Sequence, residues 1–316
     1  METTHSVRKV QKRETHLHAL GRQMWKKRQL YLLILPAVIT VFIFHYMPIY
    51  GLQIAFKNFR SSLGIVASEW VGLNHFMKFL GMPFFWKVIR NTLSISLYSL
   101  ATFPCSVILA LLLNELNSEK FKKTVQMVTY APHFISTVVV VSMLTLFMGR
   151  SNGLFNNIAE MLGGERIAYL EKPEYFSTIY VWSGVWQNIG WGAIIYIAAL
   201  AGISSEMIEA AKIDGASRLK IVWYINIPSI LPTIVTMLIL NTGSILSISF
   251  DKIYLMMNSL NGDASRVLSV YVYETGLLSG QFDYSAAIGL FNNVVNILFI
   301  MLTNQICKKL TKISMW

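Results

Sequence analysis

Glu209-Ala210-Ala211, followed at Asp214 by Asp214-Gly215-Ala216, is the first group in this sequence whose types and spacing suggest work. Ser205 can cap a short helix from Glu206 to Asp214, with acids in the first turn where the helix dipole favours them. Gly215 ends that helix, because glycine alone turns left-handed without steric cost. Ser217 can cap a second helix that runs to Ile227 and meets Pro228. The small pair Ala210 and Ala211 lets another surface come close, and Glu209 offers a carboxylate to an Arg or Lys on that surface. The result is a knob able to transmit force from a separate protein. A solvated connector with ordinary caps is the alternative.

A second group lies within apolar stretches: Asn188 and Trp191, beside Trp186 and Gln187; Asn241 and Ser244, with Thr242, Ser247 and Ser249; and Asn292, Asn293 and Asn296. Amides supply donors and acceptors for sugar hydroxyls, and indole rings stack on the C–H faces of a sugar. Asn241 and Ser244, three apart, share a helix face. The alternative is helix–helix glue, worth about 0.6 kcal/mol per bond in a membrane. His45, His75 and His133 are scattered, and Cys105 and Cys307 have no metal-ligand or disulfide spacing, so no metal site is expected.

These residues need elements to hold them. The chain has 316 residues, 54% hydrophobic and 14% charged, with a formal net charge of +11. Soluble domains carry about 25% charged residues. No Asp, Glu, Lys or Arg lies between Arg28 and Lys57, Arg90 and Glu115, Lys123 and Arg150, Glu174 and Glu206, Lys220 and Asp251, or Asp283 and Lys308. Each gap exceeds the ~20 residues a helix needs to cross hydrocarbon. An all-α polytopic membrane protein follows, with spans near 30–52, 92–114, 126–148, 178–202, 229–250 and 285–306. Alternation suited to a membrane barrel is missing.

With the N-terminus inside, segments 1–28, 115–125, 203–228 and 307–316 are cytoplasmic and hold 17 of the 27 Lys and Arg. The positive-inside rule favours that topology. The basic residues sit between apolar runs, which argues against a nucleic-acid surface. The run from Leu30 is too long for a signal peptide and reads as a retained first span. Prolines at 36, 48, 104, 132, 228 and 232 read as kinks or, alternatively, as hinges. The aromatic-rich external segments 56–90 and 251–284 fit an interfacial belt or a docking surface.

The string Glu209-Ala210-Ala211-x-x-Asp214-Gly215-Ala216, with Ile227-Pro228 downstream, resembles the EAA loop of binding-protein-dependent ABC importer permeases. Further matches are Tyr46-Met47-Pro48-Ile49-Tyr50-Gly51, Trp70-Val71-Gly72-Leu73-Asn74-His75-Phe76, Tyr130-Ala131-Pro132-His133-Phe134-Ile135-Ser136 and Phe250-Asp251-Lys252-Ile253-Tyr254. From about Tyr31 onward the chain is similar to maltose-type sugar permeases, and within them to the lipoprotein-dependent oligosaccharide or polysaccharide branch. Leu260-Asn261-Gly262-Asp263 stands where many maltose-type members have a Gly-Gly-Pro turn, which speaks against maltose itself.

The resemblance implies a six-helix type I importer permease and a pathway shared with a second homologous permease, different from this chain. It also implies an extracellular lipoprotein or soluble binding protein and two cytoplasmic ATPase subunits that grip the EAA helices. No cofactor is expected in this chain; ATP and Mg belong on the ATPase, since no G-x-x-x-x-G-K-[ST] occurs here. Rival readings are an importer of another solute, an ion-coupled carrier, which needs buried carboxylates or paired broken helices, and a membrane enzyme, which needs clustered catalytic groups.

Overall fold

The computed structural model describes residues 26–315, so most of the basic segment 1–28 and the last residue of the tail lie outside the described residues. The chain divides into two compact units, Met1–Trp70 and Val71–Trp316. The first carries helix α1 (Arg28–Phe56) and a small hairpin of β1 (Lys57–Asn58) antiparallel to β2 (Glu69–Trp70). Helix α1 is apolar on all sides and buries nothing from Arg28 to Gly51, as suits a helix facing lipid or other protein. Phe56 stacks on Trp70 at 5.5 Å, and Lys57 Nζ donates to the carbonyls of Ile65 and Val66, which closes the hairpin loop.

The second unit is built from α2 (Asn74–Leu80), α3 (Phe85–Asn114), α4 (Glu119–Phe134), α5 (Thr137–Phe147), α6 (Leu154–Met161) and α7 (Pro173–Ala201). It continues with α8 (Ser205–Ile213), α9 (Arg218–Thr242), α10 (Phe250–Met256), α11 (Leu268–Tyr273) and α12 (Phe282–Thr311). Serine hydroxyls start three of them: Ser118, Ser136 and Ser217 accept from the backbone N–H three residues on, each at 3.4 Å. Among the described residues, five helical segments are long and apolar enough to cross a membrane, or six if α4 and α5 count as one.

Several boundaries differ from the sequence expectation, each for a physical reason. Helix α3 starts at Phe85 rather than 92, because Lys87 and Arg90 point outward while Phe85 and Val88 are buried. The stretch read as one span at 126–148 is two helices bent by 100°. Pro132 removes a backbone donor and Ser136 starts a new helix there. Pro228 does not stop α9, since the preceding turn, Val222–Asn226, is a wide π-helix that tolerates the missing N–H. Helix α9 ends at Thr242, short of 250. Helix α12 runs past 306 to Thr311 and ends where Lys312 adopts φ 59°, so the tail from 307 is largely helical.

Buried side chains form separate clusters. Val107, Ala110, Ala193, Tyr196 and Ile230 join α3, α7 and α9. Ile95, Phe176, Ile253 and Val267 form another, and Phe79, Phe85, Leu246 and Ile288 a third.

Asn261, from the tetrapeptide that departs from the maltose-type turn, is fully buried (0% exposed). Its Oδ1 accepts from Asn258 N–H and Ser265 Oγ at 2.9 and 3.0 Å; its Nδ2 donates to the carbonyls of Leu170 and Met256 at 2.8 and 2.9 Å. All four capacities of the amide are used. Asn261→Ala leaves these groups unpaired and is expected to cost about 2–4 kcal/mol. A thermal melt of the purified protein checks it, and Asn261→Asp is expected to do no better, because a carboxylate would face two carbonyls.

Candidate functional site

The second unit holds an open cavity of about 860 Å³ between α3, the α4–α5 elbow, α7 and the unwound stretch after α9. The elbow is tied to α7 by Gln187, whose Nε2 donates to the Ile135 carbonyl at 2.9 Å. His133 from the same elbow stacks on Trp191 at 4.4 Å, nearly parallel, and its Nδ1 lies 2.9 Å from Asn188 Oδ1. Asn188 Nδ2 donates to the Gly184 carbonyl at 3.1 Å, so Oδ1 is the acceptor and His133 Nδ1–H the donor.

The opposite wall comes from the end of α9. Asn241 Nδ2 donates to Met237 O at 2.7 Å and Ser244 Oγ to Asn241 O at 3.2 Å, both within their own turn. From Gly243 to Ser249 the chain leaves the helix, freeing backbone groups that must be paired. Turn hydrogen bonds pair Gly243, Ser244, Ile245 and Ser247 N–H, and Asn296 of α12 pairs Leu246: its Oδ1 accepts from Leu246 N–H at 3.0 Å, while its Nδ2 donates to the Ser247 hydroxyl at 3.0 Å.

One charged side chain lines the cavity. Lys252 of α10 is 5% exposed; its Nζ donates to the Tyr180 carbonyl at 3.1 Å and sits 5.0 Å from the centre of the Tyr180 ring. Burial pushes its pKa down to about 8. No lining residue is acidic.

The second candidate feature is α8. Glu206 occupies its first turn and its residues are unburied. Gly215 adopts φ +77°. Gly215 N–H donates to Lys212 O at 3.1 Å and Ala216 N–H reaches back to Ala211 O at 2.9 Å, a Schellman closure. Glu209, Ala210, Asp214 and Gly215 are exposed, Ala211 and Ala216 half-buried. Ile213, next to them, is 86% exposed. The N-cap is Ser204 rather than Ser205, and it makes no side-chain hydrogen bond.

A sequence profile described as "Binding-protein-dependent transport system inner membrane component" matches residues 103–250. The polygalacturonan/rhamnogalacturonan transport system permease protein YteP of Bacillus subtilis (strain 168) is 41% identical over 90% of this chain and 89% of its own. Protein LplB of the same organism is 42% identical over 92% and 91%. This chain belongs to that inner-membrane permease family. A bacterial alginate ABC transporter, crystallised with its alginate pentasaccharide-bound periplasmic protein, has a chain that superimposes with a TM-score of 0.84 at 34% identity, covering 93% of this permease and 98% of that chain.

In this permease, the fold brings Asn188, Asn241 and Ser244 together on the cavity wall. Trp191 stands behind His133 and holds its ring. Asn292 and Asn296 point at Ser247 from α12, and Asn293 lies on the exposed face; none of the three lines the cavity. In the sequence, His133 stands apart from the other histidines and Lys252 falls in an external segment, so neither is marked there as a site residue. The available signal for Lys252 was its place directly after the serine-rich end of the fifth apolar run.

Proposed function

We propose that this permease is the transmembrane subunit of an ATP-driven importer for an oligosaccharide or polysaccharide. One observation carries the reading. Helix α9 begins three residues after Gly215, and its far end, from Met237 to Asn241, forms part of the cavity wall. A push on the loop of α8 and Gly215 is thus passed along one helix to the place where a solute would sit.

The polar wall suits sugar hydroxyls: amide, imidazole and hydroxyl groups from Asn188, His133, Asn241 and Ser244 face a space large enough for several sugar rings. The names of the similar proteins specify saccharides. ATP and Mg belong to two cytoplasmic ATPase subunits, each receiving one EAA helix, with Glu209 as its charged contact. A second, different permease completes the pathway, and an extracellular lipoprotein or soluble binding protein delivers the sugar. Both termini face the cytoplasm, as the Lys and Arg distribution favours.

The test is ATP hydrolysis by the complex in lipid, co-expressed with its partner permease, ATPase and binding protein. Saccharide-loaded binding protein is expected to stimulate hydrolysis. Glu209→Ala is expected to weaken ATPase association about tenfold or more, the cost of losing one partner of a buried charge pair. An ATPase that fails to co-purify, or hydrolysis indifferent to every saccharide offered, overturns the reading.

A further inference from the structure

We propose that Lys252 is an anion subsite of the cavity and takes a carboxylate of an acidic saccharide, a uronic acid residue within the chain. The inference rests on the saccharide reading above and narrows it.

Burying an ammonium is costly unless it is paired. Lys252 has one carbonyl and one ring face as its partners among the described residues, and neither carries a full charge. An ammonium has three donors. The cavity lining holds no Asp or Glu to neutralise it. A lysine buried for structural reasons alone is expected to have a carboxylate beside it, because an unpaired buried charge is strongly destabilising. The missing charge is therefore best supplied by the cargo. The lowered pKa agrees: the site as it stands disfavours the charged lysine, and an incoming carboxylate restores it.

The neighbourhood fits a sugar acid. Tyr180, Gly184 and Asn188 recur every four residues on α7 and so share one face along the cavity. Gly184 leaves the space beside the ammonium open; a Cβ there would sit 3.5 Å from Lys252 Nζ. A carboxylate at Lys252 places its own ring's hydroxyls toward the Asn188 amide and the His133 imidazole one turn away.

The experiment uses the complex of permeases and ATPase in lipid nanodiscs, without the binding protein, so that only the cavity selects. The probes are trigalacturonate and its carboxyl-reduced counterpart, galactotriose. On the wild-type complex, acetylation of Lys252 by acetic anhydride is followed by mass spectrometry. Trigalacturonate is expected to slow it about tenfold, as a desolvated charge pair would, and galactotriose at the same concentration is not. In binding measurements, the ratio of trigalacturonate to galactotriose affinity is expected to fall about tenfold in Lys252→Met and to hold within a few-fold in Lys252→Arg. Equal protection by both sugars, or an unmoved ratio in Lys252→Met, overturns the proposal and leaves the saccharide reading standing. Binding of neither sugar to the wild type, together with saccharide-insensitive ATP hydrolysis, overturns both. The wild-type protection arm decides the matter even if Lys252→Met does not assemble.

Discussion

Gly190→Ala is expected to cost this permease its folded bundle. Gly190 is buried in α7 where α4 crosses it, and a Cβ there would overlap the Thr129 carbonyl oxygen, lie 2.5 Å from its carbon and press on the Tyr130 ring. The obstacle is backbone, so no rotamer relieves it, and the two helices must separate. Overpacking costs typically 1–3 kcal/mol, and a backbone clash belongs at the upper end, about 3 kcal/mol. Between membrane helices the loss weighs more, because close packing is itself the main cohesive force. A lower melting midpoint and a sharply reduced monodisperse yield are the readouts. Tyr130→Ala removes only the ring contact and is expected not to rescue the variant; if it did, the backbone would not be the obstacle.

The second large effect is at Gly215. Its φ of +77° is closed to proline, whose ring fixes φ near −65°, and proline also removes the N–H that bonds Lys212 O. The Schellman closure of α8 then fails, at about 3 kcal/mol or more. Since the loop is exposed, the bundle is expected to survive while coupling is lost: ATPase still binds lipid-embedded complex weakly, yet saccharide uptake falls to background. A graded series makes this specific. Gly215→Asn, which tolerates the left-handed region, is expected to keep most uptake, and Gly215→Ala to lose part of it for about 1 kcal/mol of strain. Equal uptake in all three variants would mean that the bend has no part in coupling.

Charge-free runs make the long helices legible in the sequence, because burying Lys or Glu in lipid is costly enough to leave a gap there. The same criterion misplaced their ends. It stopped at Arg90 and Lys308, although a helix continues wherever its charged side chains can point away from the packed face, as at Lys87 and Lys308. It also merged α4 with α5, since composition does not register a 100° bend; Pro132 and Ser136 were the local marks of it. The loop around Gly215 was readable because its geometry is local: one glycine, one serine cap and a run of helix formers.

The cavity was not readable in the same way. Asn188 and Asn292 are alike as residues in apolar runs, and only packing decides that the first meets His133 and the second turns to Ser247. Lys252 follows the fifth apolar run in the sequence, which places it outside the spans. The short helix α10 folds it back against α7, a tertiary event with no periodic signature.

The amide of Asn296 has a consequence for how the cavity could change shape. Its two hydrogen bonds tie the tip of α9 to α12. A tip so tied does not rewind; it travels with the part to which it is joined. Ser247 is thus held in register with α12, while α9 itself stays packed on α7 through Ile230, Ala193 and Tyr196.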